Sequence, residues 1–358
     1  MYSLARGRLT DWVTDVVSPL MRFRLVALRA RSAIALSIGL VAMMTVPHAA
    51  SDPEANPIWV ENLSPLSGLV ALPAMRTANV KEGWKVDTHV AIASQFVVDQ
   101  KAGESVFFDG ETTRATLALE YGWSADWSLR LSLPWVSQDS GFLDGVINDW
   151  HQFFGMPDGG RTRYPNQQLS YRYSNGNQTS DLLQQSNNGV GDVRLELNHA
   201  LYRSPGQVVS VSLGYKAPTG EEERLTGSGE SDVFAALRFS GDHLSDLPLT
   251  WHGQVGYTYA GRSELLGSRQ EQNLWFLGFG LDWQIAERWS LLAQYDAHAG
   301  VIDSDLDALG ATPAGMLSAG IRWRPSSQWA IDASFIEDVV VSSAPDVTFQ
   351  ATLRWTPN

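Results

Sequence analysis

The chain has 358 residues, of which 44% are hydrophobic, 18% are charged and none is cysteine. The apolar content excludes a disordered chain, and the lack of cysteine excludes disulfides and cysteine-ligated metals. The mean hydropathy of −0.14 is too low for a helical membrane protein, but it fits a membrane β-barrel, whose strands alternate apolar and polar residues. The net charge of −13 argues against nucleic acid as a partner.

Residues 1–50 differ in composition from the rest of the chain. They hold six basic and two acidic residues, with an apolar run at 33–46 and small residues at 49–51. This order predicts a secretory signal peptide, because the run is shorter than the roughly 20 residues of a spanning helix. A membrane anchor is the alternative. Met21 begins a segment of more usual signal length, so an upstream start codon is one explanation of residues 1–20. Without residues 1–50 the net charge is −17, from 20 basic and 37 acidic residues.

Twelve runs of alternating hydrophobicity follow from Trp84 to the end of the chain. The run 127–135 is typical, with Trp or Leu at every odd position and Ser, Arg or Pro at every even one. A period of two predicts strands that have one apolar and one polar face.

The lengths of the links between these runs alternate. Short links lie at 124–126, 202–207, 284–288 and 324–328, with a somewhat longer one at 241–248. Between them come mostly longer polar links, at 99–110, 137–190, 218–231, 261–271, 299–315 and 339–345. Short periplasmic turns and long outer loops are typical of transmembrane barrels. We therefore predict an all-β fold, a transmembrane antiparallel up-and-down β-barrel of twelve strands over residues 84–358. It would lie in the cell outer membrane, with membrane lipids and the outer-membrane assembly machinery as partners.

The polar face of these runs predicts a charged lumen. The charges that we assign to it are Lys85, Asp87, Arg114, Glu120, Arg130, Arg194, Glu196, Arg238, Asp282, Asp296, Arg322, Asp332 and Arg354. Because the two signs nearly balance, they predict ion pairs that bridge a narrow lumen, and a conducting pore is the alternative. Residues 51–83 precede the first strand and are rich in apolar residues, so they either plug the barrel from the periplasm or pack beneath it.

The long link 137–190 contains apolar residues at a helical spacing, at 142, 146, 147, 150 and 154. We expect an extracellular loop with a short helix that folds onto or into the barrel mouth, because loops of this length are usually functional. The candidate ligand-binding or gating residues in it are Trp150, His151, Phe153, Phe154, Asp158 and Arg161.

No enzymatic site is predicted. His89 and His298 fall in the lumen phase, but no motif connects a serine to either of them, and hydrolysis would require that geometry. Neither a cofactor nor a metal site is predicted.

Two sets of short motifs resemble known families. Residues 153–161 (FFGMPDGGR), 62–66 (NLSPL) and 189–195 (GVGDVRL) resemble a domain-of-unknown-function family of Gram-negative outer-membrane barrels, which implies a fold and a location but no activity. Residues 189–197, 216–220 and 225–232 are similar to the barrel family named for meta-pathway phenol degradation, which implies transport of a small hydrophobic ligand. We therefore expect a passive channel or transporter for a small or hydrophobic molecule; the alternative is a structural or surface-interaction barrel with an occluded lumen.

Overall fold

The computed structural model describes residues 55–155, 160–176, 178–242, 247–339 and 344–357; the predicted signal peptide lies outside these ranges. The strands are β1 (Gly83–Lys101), β2 (Glu104–Gly122), β3 (Trp127–Asp139), β4 (Ser170–Asn175), β5 (Gln178–Leu183), β6 (Asn187–Val190), β7 (Arg194–Ser204), β8 (Gln207–Lys216), β9 (Asp232–Gly241), β10 (Leu249–Tyr259), β11 (Asn273–Ala286), β12 (Trp289–His298), β13 (Ala314–Ser326), β14 (Trp329–Asp338) and β15 (Val347–Trp355). The helix α1 spans Leu143–Phe154.

These strands form a closed antiparallel barrel with twelve strand positions. Each wall strand pairs with its neighbours in sequence, and β6 and β7 share one position beside β3. The barrel closes where β1 pairs with β15, from Val86 opposite Trp355 to Ser94 opposite Val347. The predicted twelve-stranded up-and-down barrel is therefore confirmed.

The two faces of the wall differ as the alternation predicts. Along β3 the exposed residues include Trp127, Leu129 and Trp135, whereas Ser128 and Arg130 are buried inside. At one end, which we call the turn end, exposed tryptophans stack across neighbouring strands at 5.8 to 6.2 Å, in the pairs 123/127, 289/323 and 329/355. Exposed aromatic residues also mark the opposite end, the loop end, at Trp135, Tyr215, Tyr257 and Trp275. Two aromatic rings around an apolar band are the signature of a membrane-spanning barrel, and short turns are typical of the periplasmic end of such barrels.

β1 and β2 extend beyond the loop-end ring of aromatic residues. The predicted loop 99–110 is wrong, because these residues are paired strand closed by a tight turn at Ala102 and Gly103. Both turn residues have positive φ, at 52° and 87°, as a two-residue hairpin with the natural strand twist requires. Above the membrane both faces of the hairpin meet protein or water, so the alternation that marks a lipid-facing strand is lost.

α1 packs on the outside of the wall. Leu143 and Ile147 bury their side chains against Val347 and Ile92, which point away from the lumen. The Glu111 carboxylate accepts hydrogen bonds from the backbone amides of the first turn, including that of Phe142 at 2.9 Å. The expected position of this helix on or in the barrel mouth is therefore corrected. No helix among the described residues combines the length and the apolar character that crossing a bilayer would take.

Candidate functional site in the lumen

Residues 55–82, which we call the plug, run through the lumen before β1 begins. Nearly all side chains from Pro57 to Val80 are buried, and the segment has no regular structure except a 3-10 turn at Ser67–Leu69. Its polar atoms contact side chains from wall strands all around the barrel. The plug rises from the turn end, reverses near the loop end and descends again, so that both of its ends lie at the turn end.

The entry of the plug is held by arginines at the turn end. Arg322 donates to the Asn56 carbonyl at 2.8 Å, and Arg354 donates to the Pro57 carbonyl at 3.0 Å. Arg322 also contacts Asp282 and Asp332, both at 2.6 Å, and its side chain is 0% exposed. The same ion-paired cluster therefore ties strands β11, β13 and β14 together and fixes the plug backbone.

Aromatic and charged residues meet halfway along the rising limb. The Trp59 ring stacks on His89 of β1 with centroids 4.8 Å apart, and the Arg130 guanidinium lies 5.0 Å from the Trp59 ring. Arg130 also contacts Asp87 at 2.8 Å. A tryptophan held between an imidazole and a guanidinium is positioned by packing and by cation–π attraction.

Glu61 lies between two wall arginines. Its Oε2 is 3.4 Å from Nη1 of Arg114 on β2, and its Oε1 contacts Nη2 of Arg194 on β7. Arg114 also donates to the Gly68 carbonyl at 2.8 Å. The carboxylate is 5% exposed, so the plug supplies a buried counter-ion to a pair of wall cations.

The tip of the plug is the core of a cap over the loop end. Its apolar side chains pack with residues from the loops after β8, β10 and β12; the cluster includes Leu66, Leu69, Val70, Leu72, Leu225, Leu266, Val301, Leu306 and Leu309. Beneath it Lys216 donates to the Leu69 carbonyl at 2.8 Å and contacts Asp192 and Asp232. The Asp232 carboxylate accepts from the Ala71 amide at 2.7 Å. The plug tip thus joins three loops over the loop end of the lumen.

The descending limb is also held by polar contacts. Arg76 forms ion pairs with Glu120 on β2 and Glu196 on β7. Lower down, the Ala78 amide donates to the Ser240 hydroxyl at 2.8 Å. A cavity of about 50 Å³ remains beside Arg76, near Lys85, Asp87 and Arg130, which is room for a few water molecules. A second cavity of about 10 Å³ lies nearer the loop end, beside Leu66, Gln95 and His298.

The charges assigned to the lumen from the sequence all lie on the inner face of the wall. Lys85 opposes Glu120 in the register of β1 and β2. Arg238 makes two contacts with Glu196, at 2.8 and 3.2 Å. Asp296 accepts a hydrogen bond from Gln294 at 2.8 Å and forms no ion pair with any described residue.

The six candidate gating residues lie away from the lumen or outside the described residues. Arg161 is buried against the outer face of β1, where it donates to the Ser94 hydroxyl at 3.1 Å and forms ion pairs with Asp144 and Asp346. Phe153 is 81% exposed. Trp150, His151 and Phe154 lie in α1, but their side chains are not described, and Asp158 lies outside the described residues.

The residues that matter most to the filled lumen were not singled out by the sequence. Glu61 and Arg76 belong to the plug, while Asp192 and Asp232 lie where loops meet strands. The sequence offered one indication, the apolar content of residues 56–66. It indicates that the segment packs against other residues, but it does not identify them. Within the described ranges, no three His, Asp or Glu side chains form a group that would hold a metal ion.

The family model described as "Protein of unknown function (DUF3187)" matches residues 33–356. The chain belongs to this family. No curated protein matches the sequence.

Solved outer-membrane structures have a similar fold. The COG4313 outer membrane channel from Pseudomonas putida F1 is 13% identical with a TM-score of 0.50, over 77% of this chain and 95% of that one. The KdgM porin is 7% identical with a TM-score of 0.41, over 76% of this chain and 99% of the porin. The CymD monoaromatic hydrocarbon channel is 13% identical with a TM-score of 0.37, over 78% and 90% of the two chains. At these identities only the barrel fold is shared. Of these three structures, the COG4313 channel alone reaches a TM-score of 0.50, and it therefore supports the shared fold.

Proposed function

We propose that this protein is a gated outer-membrane channel for a small hydrophilic solute, and that withdrawal of the plug opens it. The observation that carries the proposal is the path of the plug, whose two ends both lie at the turn end, near Asn56 and Val80. A segment that enters and leaves by the same mouth is withdrawn without being threaded through the barrel.

The contacts of the plug suit such a movement. Outside its apolar tip, most of the described hydrogen bonds of the plug join its backbone to polar wall side chains, such as Arg354 to Pro57, Gln254 to Pro73 and Thr258 to Ala71. Water replaces hydrogen bonds of this kind at a modest net cost, about 0.5–1.5 kcal/mol for a typical neutral one and about 1.5–3 kcal/mol where the wall partner is charged, as Arg354 is. The wall is lined by charged and polar side chains, which favours a hydrophilic solute over the hydrophobic one that the phenol-degradation resemblance implies.

A reversible lock tests the proposal. The Thr77 and Ser240 hydroxyl oxygens are 3.3 Å apart, so cysteines at both positions need only a small shift to form a disulfide of about 2.05 Å. The natural chain has no cysteine, which leaves this as the only thiol pair. Conductance is measured in planar bilayers for the full chain, for Thr77→Cys/Ser240→Cys before and after reduction, and for each single cysteine variant.

A loosened plug completes the design. Arg76→Gln removes the ion pairs to Glu120 and Glu196, so this variant should open more often than the natural chain. We expect the oxidised double variant to show no conductance, and to conduct after reduction as the single variants do. If the natural chain, the reduced variant and Arg76→Gln all show no conductance, a permanently occluded structural barrel is favoured. Equal conductance of the oxidised and reduced forms would show that the plug is not the gate.

A further inference from the structure

Most lumen cations keep a counter-ion on the wall whether or not the plug is present. Arg130 contacts Asp87 at 2.8 Å, Arg238 contacts Glu196 at 2.8 Å, and Arg324 contacts Asp282 at 3.2 Å. Arg322 and Arg354 share Asp332, and Lys216 lies between Asp192 and Asp232. All these partners belong to the wall or its loops.

Arg114 and Arg194 differ from these cations because no described residue of the wall supplies a counter-ion to either of them. Among the described residues, Glu61 is the only carboxylate with which either arginine forms an ion pair. They lie on β2 and β7 with β3 between them, so the wall holds them together when the plug leaves. The Nε atom of Arg114 is buried and has no hydrogen-bond partner. Withdrawal of the plug therefore leaves two neighbouring cations without an ion-pair partner among the described residues.

No carboxylate is left unpaired in exchange. When Arg76 leaves with the plug, Glu196 keeps Arg238 at 2.8 Å, and Glu120 keeps Arg130 at 3.5 Å and the Ser128 hydroxyl at 2.7 Å. Departure of Glu61 thus exposes positive charge at Arg114 and Arg194, whereas the carboxylates that lose Arg76 keep other partners. A cleft lined by charge of one sign concentrates counter-ions even when water fills it, so this place attracts an anion.

We propose that the opened lumen binds a small organic carboxylate between Arg114 and Arg194, and that Glu61 is an internal competitor for this site. The inference rests on the proposed channel. Glu61 shows the geometry, because one carboxylate oxygen faces each guanidinium. A planar carboxylate with two acceptor oxygens suits this arrangement, and charge-assisted hydrogen bonds of this kind are the strong ones. A free carboxylate that takes the place of Glu61 also favours the withdrawn plug.

Acetate is the probe that tests the site, on full-length variants in planar bilayers. Glu61→Gln keeps the shape of the plug but removes its charge. We expect it to open more often than the natural chain, to prefer chloride over potassium, and to be blocked at lower acetate concentration. Adding Arg114→Gln or Arg194→Gln to Glu61→Gln should weaken the block roughly tenfold. Adding Arg324→Gln removes the same charge from a wall-paired arginine and should leave the block intact.

The outcomes separate the two proposals. If the Glu61→Gln variant, shown to be folded by its heat-modifiable mobility on gels, never opens, the channel itself is wrong. If it opens but acetate block is the same in the Arg114, Arg194 and Arg324 backgrounds, the channel stands and the carboxylate site is overturned. If inorganic phosphate blocks at lower concentration than acetate through the same two arginines, the site is a phosphate site and the carboxylate assignment is wrong.

Discussion

At the scale of single residues, the lumen is organised by buried arginines that each contact several partners. Arg322 contacts Asp282, Asp332 and the plug carbonyl of Asn56, and no part of its side chain is exposed. Arg324 contacts Asp282 at 3.2 Å, and Arg354 contacts Asp332 at 3.1 Å. An arginine fork suits such a network, because its donors are fixed in a plane and its charge does not titrate.

We expect Arg322→Met to lower the free energy of unfolding by about 3 kcal/mol, the low end of the range for breaking a buried ion pair. The low end applies because Arg324 and Arg354 still contact the two carboxylates. Urea unfolding in lipid vesicles measures the change. Arg172→Ala is the control, because its pair with Asp181 is exposed, at 47% and 54%, and such pairs contribute about 1 kcal/mol or less. Equal losses in both variants would contradict the role of burial.

At the scale of elements, one buried arginine holds α1 to the outside of the wall. Arg161 joins Asp144 in the first turn of α1 to Asp346 in the loop before β15, and its guanidinium lies 5.3 Å from the Phe96 ring. We expect Arg161→Ala to free residues 140–169, so that proteinase K cleaves them faster while conductance is unchanged. The neighbouring Arg163 is exposed, and Arg163→Ala should leave the cleavage rate as it is. A rise in conductance on Arg161→Ala would indicate that α1, and not the plug, gates the channel.

The attachment of this loop should also depend on pH. Asp109, which lies above the loop-end aromatic ring, has its pKa raised to about 7 by burial and by the nearby Asp144 and Asp346, against the opposing effect of Arg161. The attached state therefore binds the proton more tightly than the detached state. It gains stability as the pH falls below about 7 and loses it as the pH rises. Cleavage of residues 140–169 should be slower at pH 5 than at pH 8, and Asp109→Asn should reduce this difference.

How much of each element the sequence reveals depends on its surroundings. Between the aromatic rings, lipid outside and polar groups inside force apolar and polar residues to alternate. The sequence therefore predicts β3 correctly from Trp127 to Trp135. The extension at 99–110 lacks a lipid face and therefore reads as a loop. Helical spacing predicts α1 but not the side of the wall on which Leu143 and Ile147 pack.

At the scale of the whole molecule, contacts between distant parts of the chain decide whether the lumen is open. Glu61 meets Arg114 and Arg194 across 53 and 133 residues, and no local pattern in the sequence encodes such a match. The plug also couples the two ends of the barrel. It is held by Arg322 at the turn end, and its tip supports the cap at the loop end. Withdrawal at one end therefore removes the core of the closure at the other.

This coupling predicts that changes in the plug tip loosen the outer loops. Leu66→Ala and Leu69→Ala should each destabilise the cap by about 2–5 kcal/mol, as expected for a buried leucine. Trypsin should then cut faster in the loops at 217–231 and 260–272, after Arg224 and Arg262. Leu213→Ala is the control, because Leu213 is 57% exposed on the lipid face. Unchanged cleavage in both plug variants would mean that the loops close the mouth without the plug, and that its withdrawal alone does not open the barrel.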